Sequence, residues 1–190
     1  KPPVTPMVLQ QALPIEGSTG AIDELQPSGL AFCDERLLMV SDSHNGTIYH
    51  LERKGSKAIA KLFRQLKEIP QPDLQAYDFT VRWWSRLSRR YDWEGISCDE
   101  QGNLYLLSET LAQVLKRSPN GRLQWLGSEA YRAGREKGLF EQRNAIAEGL
   151  AVSSDRLVIA AERQPRGLVI MTATDKGMNE SDGEERSGWQ

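Results

Sequence analysis

The stretch from Tyr91 to Glu109, "YDWEGISCDEQGNLYLLSE", decides how the whole sequence is interpreted. It holds two short apolar runs separated by the polar segment "DEQGN", a pattern typical of two buried strands joined by a tight turn. Acidic residues stand at both ends, because Glu94 precedes Gly95 and Glu109 closes the second run. The meaning of these acids depends on whether the stretch occurs once or is repeated.

Two further stretches repeat the pattern. "PSGLAFCDERLLMVSD" runs from Pro27 to Asp42, and "AEGLAVSSDRLVIAAE" runs from Ala147 to Glu162. Each copy opens with glycine followed by leucine or isoleucine, and closes with a small residue and an acid 13 or 14 positions after the glycine. The glycines are separated by 66 and 54 residues. Three matches in one register predict an internal repeat.

Each copy predicts a small antiparallel sheet. In the second copy we expect strands at 95–98, 104–107, 113–117 and 123–126, with a hairpin turn at 118–121. The first copy follows the same plan, and the third supplies three strands. A β-sandwich is the alternative, but it has no reason to restore the same opening at this spacing, whereas propeller blades do. We therefore expect an all-β fold, a β-propeller of four-stranded antiparallel blades.

The expected organisation is a single propeller domain, or a fragment of one, over residues 1–190. Three blades do not close a ring, since propellers use about four to eight. We expect part of a five- or six-bladed ring, with a homodimer through exposed blade edges as the alternative. Residues 4–15 are a candidate outer strand for the last blade. The expected blades are 27–65, 93–127 and 147–175, with inter-blade insertions at 66–92 and 128–146 and a polar tail at 176–190.

The first insertion carries a helical pattern of apolar residues, with arginines on the other face. Basic residues among aromatics occur on surfaces that bind nucleic acid, but the 24 basic and 26 acidic residues of the chain are nearly balanced. We therefore expect a solvated helix or loop packed across the propeller and no nucleic-acid partner. The apolar positions of this pattern are Val81, Trp84, Leu87 and Tyr91.

Compartment and cysteine pairing are only weakly constrained. No apolar run approaches the ~20 residues of a membrane helix, so no membrane span is expected. The chain begins at Lys1, so a signal peptide would lie outside the given sequence. Two cysteines leave the redox compartment open. Because Cys33 and Cys98 hold matching places in adjacent blades, we expect two separate small core residues and not a disulfide.

The acid that precedes the repeated glycine is expected near the mouth of the propeller channel. Glu94 and Glu148 hold this position, while the first blade has Ser28. Converging carboxylates repel one another unless a proton, a basic side chain or a cation lies between them. An oxygen-rich set of this kind suits Ca²⁺. The sequence therefore predicts a calcium site at Glu94 and Glu148, and the alternative is that both carboxylates cap neighbouring strand ends.

A second set of acids, Asp42, Glu109 and Glu162, closes the second strand of each blade, and we place it at the opposite end of the hairpin from the first set. Its members either have a repeated structural role or bind substrate. Glu109, Glu162 and Arg163 are the candidate substrate-binding residues, for a phosphate or a carboxylate. No catalytic residue is identified, since the "SDSH" stretch that ends at His44 has no established triad geometry.

These motifs carry a family resemblance. "DWEGISCDEQGNLYLLSE" and "NAIAEGLAVSSDRLVIAAER" resemble blades of the propeller family named for the esterase-like activity of phytase, and of the related SdiA-regulated propellers. The resemblance covers about residues 25–172. The positions that match the blade opening are Asp92, Glu94, Gly95 and Ile96, with Asn144, Glu148, Gly149 and Leu150, and those that match the strand end are Glu109, Glu162 and Arg163.

The resemblance implies a periplasmic or secreted propeller that binds calcium and hydrolyses a phosphoester or another ester of a small molecule. Ser28 departs from the pattern, because the first blade lacks the acid. Two alternatives stay open. Gluconolactonase-like propellers use a Glu-Gly opening whose glutamate binds a divalent metal, so a metal-dependent lactonase is one. A non-enzymatic propeller module that binds a protein or small ligand through inter-blade loops is the other.

Overall fold

The computed structural model describes residues 10–17, 25–75, 77, 79, 82–83, 91–141, 146–153, 155–161 and 166–172. The first sheet contains β1 (Ile15–Gly17), β2 (Pro27–Cys33), β3 (Arg36–Ser41), β4 (Thr47–Lys54) and β5 (Lys57–Gln65). The second contains β6 (Trp93–Cys98), β7 (Leu104–Ser108), β8 (Gln113–Arg117) and β9 (Leu123–Leu126). Helix α1 (Ser128–Glu136) precedes the third sheet, which contains β10 (Gly149–Val152), β11 (Arg156–Ala161) and β12 (Gly167–Thr172).

Each repeat forms one sheet in which strands adjacent in sequence are antiparallel neighbours. The orders are β2-β3-β4-β5 in the first blade, β6-β7-β8-β9 in the second and β10-β11-β12 in the third. The apolar run of β7 is buried along its whole length, as a strand covered on both faces requires. The predicted β-propeller of antiparallel blades is confirmed.

The strand β1 corrects one expectation. It pairs in parallel with β5, with Ile15 opposite Ala58, and so extends the first blade and not the last. The Pro14 carbonyl accepts the backbone N–H of Ala58 at 2.9 Å, which continues this pairing. The outermost strand of a blade has backbone groups without a strand partner. Strand β1 provides that partner for β5. Residues 4–9 of this candidate outer strand lie outside the described residues.

The repeated glycines let the innermost strands of adjacent blades approach one another. Strand β2 packs against β6, and β6 packs against β10. A Cβ atom on Gly29 would lie 2.9 Å from the Cα of Gly95, and one on Gly95 would lie 3.0 Å from the Cβ of Leu150. Any side chain at these positions would push the blades apart. The Gly-Leu opening is therefore a packing requirement of the propeller axis.

The close approach of the inner strands also overturns the expectation of two separate cysteines. Cys33 ends β2, Cys98 ends β6, and the two form a disulfide with a Cα–Cα distance of 5.9 Å. This distance lies within the usual range for a disulfide. Matching positions of adjacent blades are far apart on outer strands but not on the innermost ones. The disulfide thus joins the first two blades.

The insertions pack against the second and third blades. The ring of Tyr131, on α1, stacks on that of Tyr77 with centroids 4.2 Å apart. The Trp125 Nε1–H donates to the Pro70 carbonyl at 2.8 Å. The helix α1 was not predicted from the sequence, and most of the helix predicted around residues 81–91 lies outside the described part of the chain. None of the described helices is long and apolar enough to cross a membrane.

At the two ends of the row of blades, β2 of the first blade and β12 of the third expose large apolar side chains. Leu30 and Phe32 on β2 are 57% and 77% exposed, and Leu168 and Ile170 on β12 are 62% and 60% exposed. These are the surfaces that a further blade or a second copy would cover. The homodimer expected from exposed blade edges stays a prediction.

Candidate functional site

The two sets of acids lie at the same end of their blades. In the second blade Trp93 pairs with Ser108, and in the first Pro27 pairs with Ser41. The start of the first strand is therefore beside the end of the second, as in any antiparallel hairpin. The expectation that the strand-closing acids lie opposite Glu94 and Glu148 is wrong for this reason, and Glu109 stands next to the opening that contains Glu94.

A β-bulge positions the acid before the glycine. The register of the β6–β7 pair shifts between Trp93 and Gly95, which leaves Glu94 as the extra residue. The same shift occurs in the first blade between Pro27 and Gly29, where Ser28 is the extra residue. A bulge bends its strand and redirects a side chain, and bulges are frequent beside functional sites. The first two blades therefore have the same β-bulge, with serine at the extra position in one and glutamate in the other.

Four carboxylates act on the carboxyl group of Glu94 at this end of the propeller. Burial of the Glu94 side chain and the negative charges of Glu148, Glu109, Asp42 and Asp92 raise the pKa of Glu94 from 4.5 to about 7. Burial is the largest cause, and the neighbouring charges act in the same direction. We call Asp42, Asp92, Glu94, Glu109 and Glu148 the acidic rim.

Hydrogen bonds from one backbone N–H and two side-chain hydroxyls fix the part of the acidic rim on the second blade. The Glu109 N–H donates to the Asp92 carbonyl at 2.9 Å. The Thr110 hydroxyl donates to Asp92 Oδ2 at 2.8 Å, and the Ser108 hydroxyl donates to the Tyr91 carbonyl. Asp92 itself has a positive φ of 44°, a conformation that Asp tolerates better than most residues. The entry into β6 is thus tied to the turn after β7.

The other blades hold their rim acids in different ways. With the Gln26 amide in the orientation that satisfies its hydrogen bonds, its nitrogen donates to both carboxylate oxygens of Asp42, at 3.0 and 2.7 Å. The Glu148 N–H donates to the Ala160 carbonyl at 3.0 Å, which extends the β10–β11 pairing to the residue before Gly149. Each rim acid is therefore attached to a strand end and not to a long loop.

The structure brings together three of the five site residues predicted from the sequence, namely Glu94, Glu148 and Glu109. Glu162 and Arg163 lie outside the described residues. Asp92 was noted only as a family match and Asp42 only as a strand-closing acid, although both belong to the rim. Correct pairing of the hairpin ends would have placed Asp42 beside the Ser28 position and Glu109 beside Glu94.

The predicted calcium site at Glu94 and Glu148 stays a prediction. The acidic rim offers carboxylate oxygens, the ligands that Ca²⁺ prefers, and Ca²⁺ takes about six to eight of them. Among the residues that the structure describes, no three His, Cys, Asp or Glu side chains are grouped closely enough to hold a metal ion. A calcium site at Glu94 and Glu148 would therefore need further oxygen ligands.

The "SDSH" segment makes hydrogen bonds within the first blade. The Ser41 and Ser43 hydroxyls hydrogen-bond each other at 2.9 Å. His44 Nδ1 hydrogen-bonds the Tyr49 hydroxyl at 2.6 Å, within the same blade. The histidine ring therefore has a partner on β4.

The fold and the acidic rim define the protein as a β-propeller with a carboxylate-rich end. The sequence model of the Phytase-like family, described as esterase-like activity of phytase, matches residues 26–173. The chain belongs to this family, as the sequence motifs predicted. A comparison with curated proteins gives no significant match.

A comparison with solved structures found two lyases. A catalytically inactive virginiamycin B lyase from Staphylococcus aureus, determined with quinupristin, is 8% identical with a TM-score of 0.42, over 82% of this chain and 44% of that one. A streptogramin B lyase structure is 12% identical with a TM-score of 0.42, over 83% of this chain and 44% of that one. The chain therefore spans less than half the length of either protein.

Proposed function

We propose that this chain carries the proton-transfer site of an ester hydrolase, with Glu94 as the residue that donates and accepts the proton. The observation that carries the proposal is the convergence of the acidic rim around a half-buried carboxyl group held on a β-bulge. Membership of the Phytase-like family supports esterase chemistry. Perturbed carboxyl groups of this kind are frequent at catalytic sites.

The electrostatics of the rim suit Glu94 to this role. With a pKa raised to about 7, its carboxyl is present in both protonation states at neutral pH. The protonated form can donate to the leaving alkoxide oxygen of an ester, and the ionised form can take a proton from an attacking water. Glu109 and Glu148 supply part of the negative charge that favours the protonated form.

The charge of the rim also bears on the substrate. Five carboxylates repel an anionic substrate, so a neutral carboxylic ester or lactone suits the rim as it stands. A phosphoester carries negative charge and would need a cation or a basic side chain beside it. We therefore rank neutral esters above phosphoesters for this chain alone, and phosphoesters above neutral esters once a divalent cation is bound.

A substrate panel tests the proposal. Neutral carboxylic esters, lactones and phosphate monoesters are assayed with and without Ca²⁺ for the wild type, Glu94→Gln and Glu100→Gln. Glu100 is the matched control because it is exposed, on the turn at the other end of the same blade. We expect Glu94→Gln to lose ~100-fold or more of the ester activity, the usual size of a general acid–base contribution, and Glu100→Gln to retain it.

The panel also separates the alternatives. Full activity in Glu94→Gln would contradict the proposal. Hydrolysis of lactones that requires a divalent metal would identify a lactonase of the gluconolactonase type. No hydrolysis of any member by the wild type would favour a non-enzymatic module that binds a protein or a small ligand through its inter-blade loops, with Glu109, Glu162 and Arg163 as the first residues to test for binding.

Calcium binding is a second candidate function, because a cation relieves the repulsion within the acidic rim. Glu94 and Glu148 are the proposed ligands, together with oxygens that the described carboxylates do not supply. We expect millimolar Ca²⁺ to raise the Tm of the wild type at pH 8, less at pH 5, and less in Glu94→Gln. An unchanged Tm of the wild type with Ca²⁺ at pH 8 would rule against this site, whatever the esterase assay shows.

We also propose a periplasmic or secreted location. The Cys33–Cys98 disulfide supports it, because disulfides persist in oxidising compartments and are rare in the cytosol. Trapping free thiols with an alkylating reagent during cell lysis tests the proposal. Unmodified cysteines in the protein from its native host are expected, and quantitative alkylation of both cysteines without prior reduction would contradict it.

A further inference from the structure

A groove of about 260 Å³ lies between the first two blades, at the end opposite the acidic rim. Its walls come from the β2–β3 turn and β5 on one side and from the β6–β7 turn and the end of β8 on the other. Three arginines from three different strands line it, namely Arg36 on β3, Arg64 on β5 and Arg117 on β8. We call this space the arginine groove.

Contacts with an aromatic ring and the backbone hold two of the guanidinium groups. The Arg64 Cζ lies 4.5 Å from the centroid of the Phe63 ring, and the Arg36 Cζ lies 5.7 Å from it. Arg64 Nη1 also donates to the Phe63 carbonyl at 2.9 Å. Stacking on an aromatic face leaves the in-plane N–H donors of a guanidinium available. The guanidinium groups of Arg36 and Arg64 therefore both lie close to the Phe63 ring on the first blade.

The third guanidinium faces them from the second blade. Arg117 is half-buried and uses Nη1 to donate to the Ser118 carbonyl at 3.1 Å. Burial, and then the positive charge of Arg64, lower the pKa of Arg117. The two guanidinium groups thus repel each other across the groove, an arrangement that an anion between them would stabilise.

No carboxylate neutralises this cluster within the part of the chain that the structure describes. Asp34 also lines the groove, but neither it nor any other described acid forms an ion pair with Arg36, Arg64 or Arg117. The nearby Asp99 accepts hydrogen bonds from Asn103 and Tyr105 in its own turn. The groove is therefore a concave surface with three arginines and one acid.

We propose that the arginine groove binds a phosphate group, either inorganic phosphate or that of a small phosphate monoester. Three guanidinium forks offer more in-plane donors than the two oxygens of a carboxylate can accept, whereas a phosphate group presents three terminal oxygens. The Cys33–Cys98 disulfide lies at the edge of the groove, since Cys33 lines it, and fixes the two blades that carry the arginines. The groove is separate from the acidic rim, so its occupancy does not depend on hydrolysis.

Isothermal titration of the purified chain with inorganic phosphate and with glycerol phosphate, at constant ionic strength, tests the inference. We expect saturable binding of one phosphate per chain for at least one of the two ligands. Arg64→Gln and Arg117→Gln should each weaken it ~10-fold, the usual effect of one charge-assisted hydrogen bond. The matched control is Arg132→Gln, because Arg132 is exposed on α1 and pairs with Glu129; it should leave the affinity unchanged.

Because Arg117 is half-buried, Arg36→Gln, at an exposed position, provides a third variant that should fold regardless. Binding that falls equally in the Arg132 variant and in the groove variants would reflect net charge and would overturn the proposal. The absence of saturable binding up to ~10 mM of both ligands would also overturn it.

Discussion

The Ser28 hydroxyl donates a hydrogen bond to the backbone carbonyl of Trp93, the residue before Glu94. Ser28 and Glu94 are the extra residues of equivalent β-bulges in the first and second blades. At this position the second blade has the carboxylate of Glu94. The first blade has the short side chain of Ser28, which hydrogen-bonds the second blade. The absence of the acid from the first copy has a structural reason, and the bulge of Glu94 is supported from the adjacent blade.

Replacement of Ser28 by alanine should weaken this support. The Trp93 carbonyl would lose its side-chain partner at a part-buried site, which costs about 1–2 kcal/mol of the free energy of unfolding. Urea denaturation of Ser28→Ala measures the loss. Ser153→Ala is the control, because Ser153 is exposed and its hydroxyl donates to Asp155 of its own turn. Equal stability of the two variants would contradict the role of Ser28.

Alanine at the repeated glycines should destabilise the chain in proportion to the contact its Cβ would make. In Gly29→Ala the new atom meets backbone atoms of Gly95 and Ile96 at 2.9 Å, and backbone cannot move aside cheaply. In Gly149→Ala it meets only the Ala160 Cβ, at 3.1 Å. We expect a loss of about 1–3 kcal/mol for Gly29→Ala and a smaller one for Gly149→Ala, measured by urea denaturation. The reverse order would contradict direct packing of the inner strands.

Removal of the disulfide should lower stability without changing the fold. The cysteines are 65 residues apart, and closing a loop of that length restricts the unfolded chain enough to contribute about 4 kcal/mol. The Tm of Cys33→Ala/Cys98→Ala should fall to that of the reduced wild type. Dithiothreitol serves as the internal control, because it should lower the Tm of the wild type and leave the variant unchanged. A wild type that is insensitive to the reductant would contradict the prediction.

The stability of the wild type should decrease as the pH rises from about 4.5 to 7. In this window the folded state keeps a proton on Glu94, whose pKa is raised to about 7, while the unfolded state with its ordinary value of 4.5 has lost it. The folded state then binds more protons, so the free energy of unfolding falls with rising pH. Above pH 7 the carboxylate is charged in both states, so the stability that the retained proton contributes to the folded state has been lost.

Glu94→Gln isolates this effect. Glutamine has no charge to bury, so the variant should gain stability relative to the wild type across the same window, measured by urea denaturation at pH 4.5, 6 and 8. Because Glu94 is only partly buried, salt should reduce the difference. A difference between the two proteins that does not change with pH would contradict the raised pKa.

The sequence predicted the repeat well because each blade is a local unit. The strands around Gly95 and Leu104 could be recognised from four to eight residues of apolar pattern and the turns between them. Helix α1 was not recognised from the sequence, although its buried residues Ala130, Tyr131 and Gly134 have helical spacing. Its Tyr131 stacks on Tyr77, more than fifty positions earlier in the chain.

The site was predicted less completely, for a geometric reason. Glu94, Glu109 and Glu148 were each singled out from their place in the repeat, but the two sets were assigned to opposite ends. Which end of a hairpin an acid occupies follows from strand pairing, and Trp93 opposite Ser108 settles it. The disulfide was missed in the same way, since the repeat gave equivalent positions without the distance between blades.

The sequence by itself thus determined the class of fold, the repeating unit and the residue types at the opening and the end of each blade. These are properties of short segments, fixed by the alternation of side chains and by the chemistry of turns. Only the tertiary structure decided which acids meet, that Cys33 bonds Cys98, and that arginines of two blades face one another. Such relationships depend on how closely the inner strands approach, which the glycines permit and the packing of the blades sets.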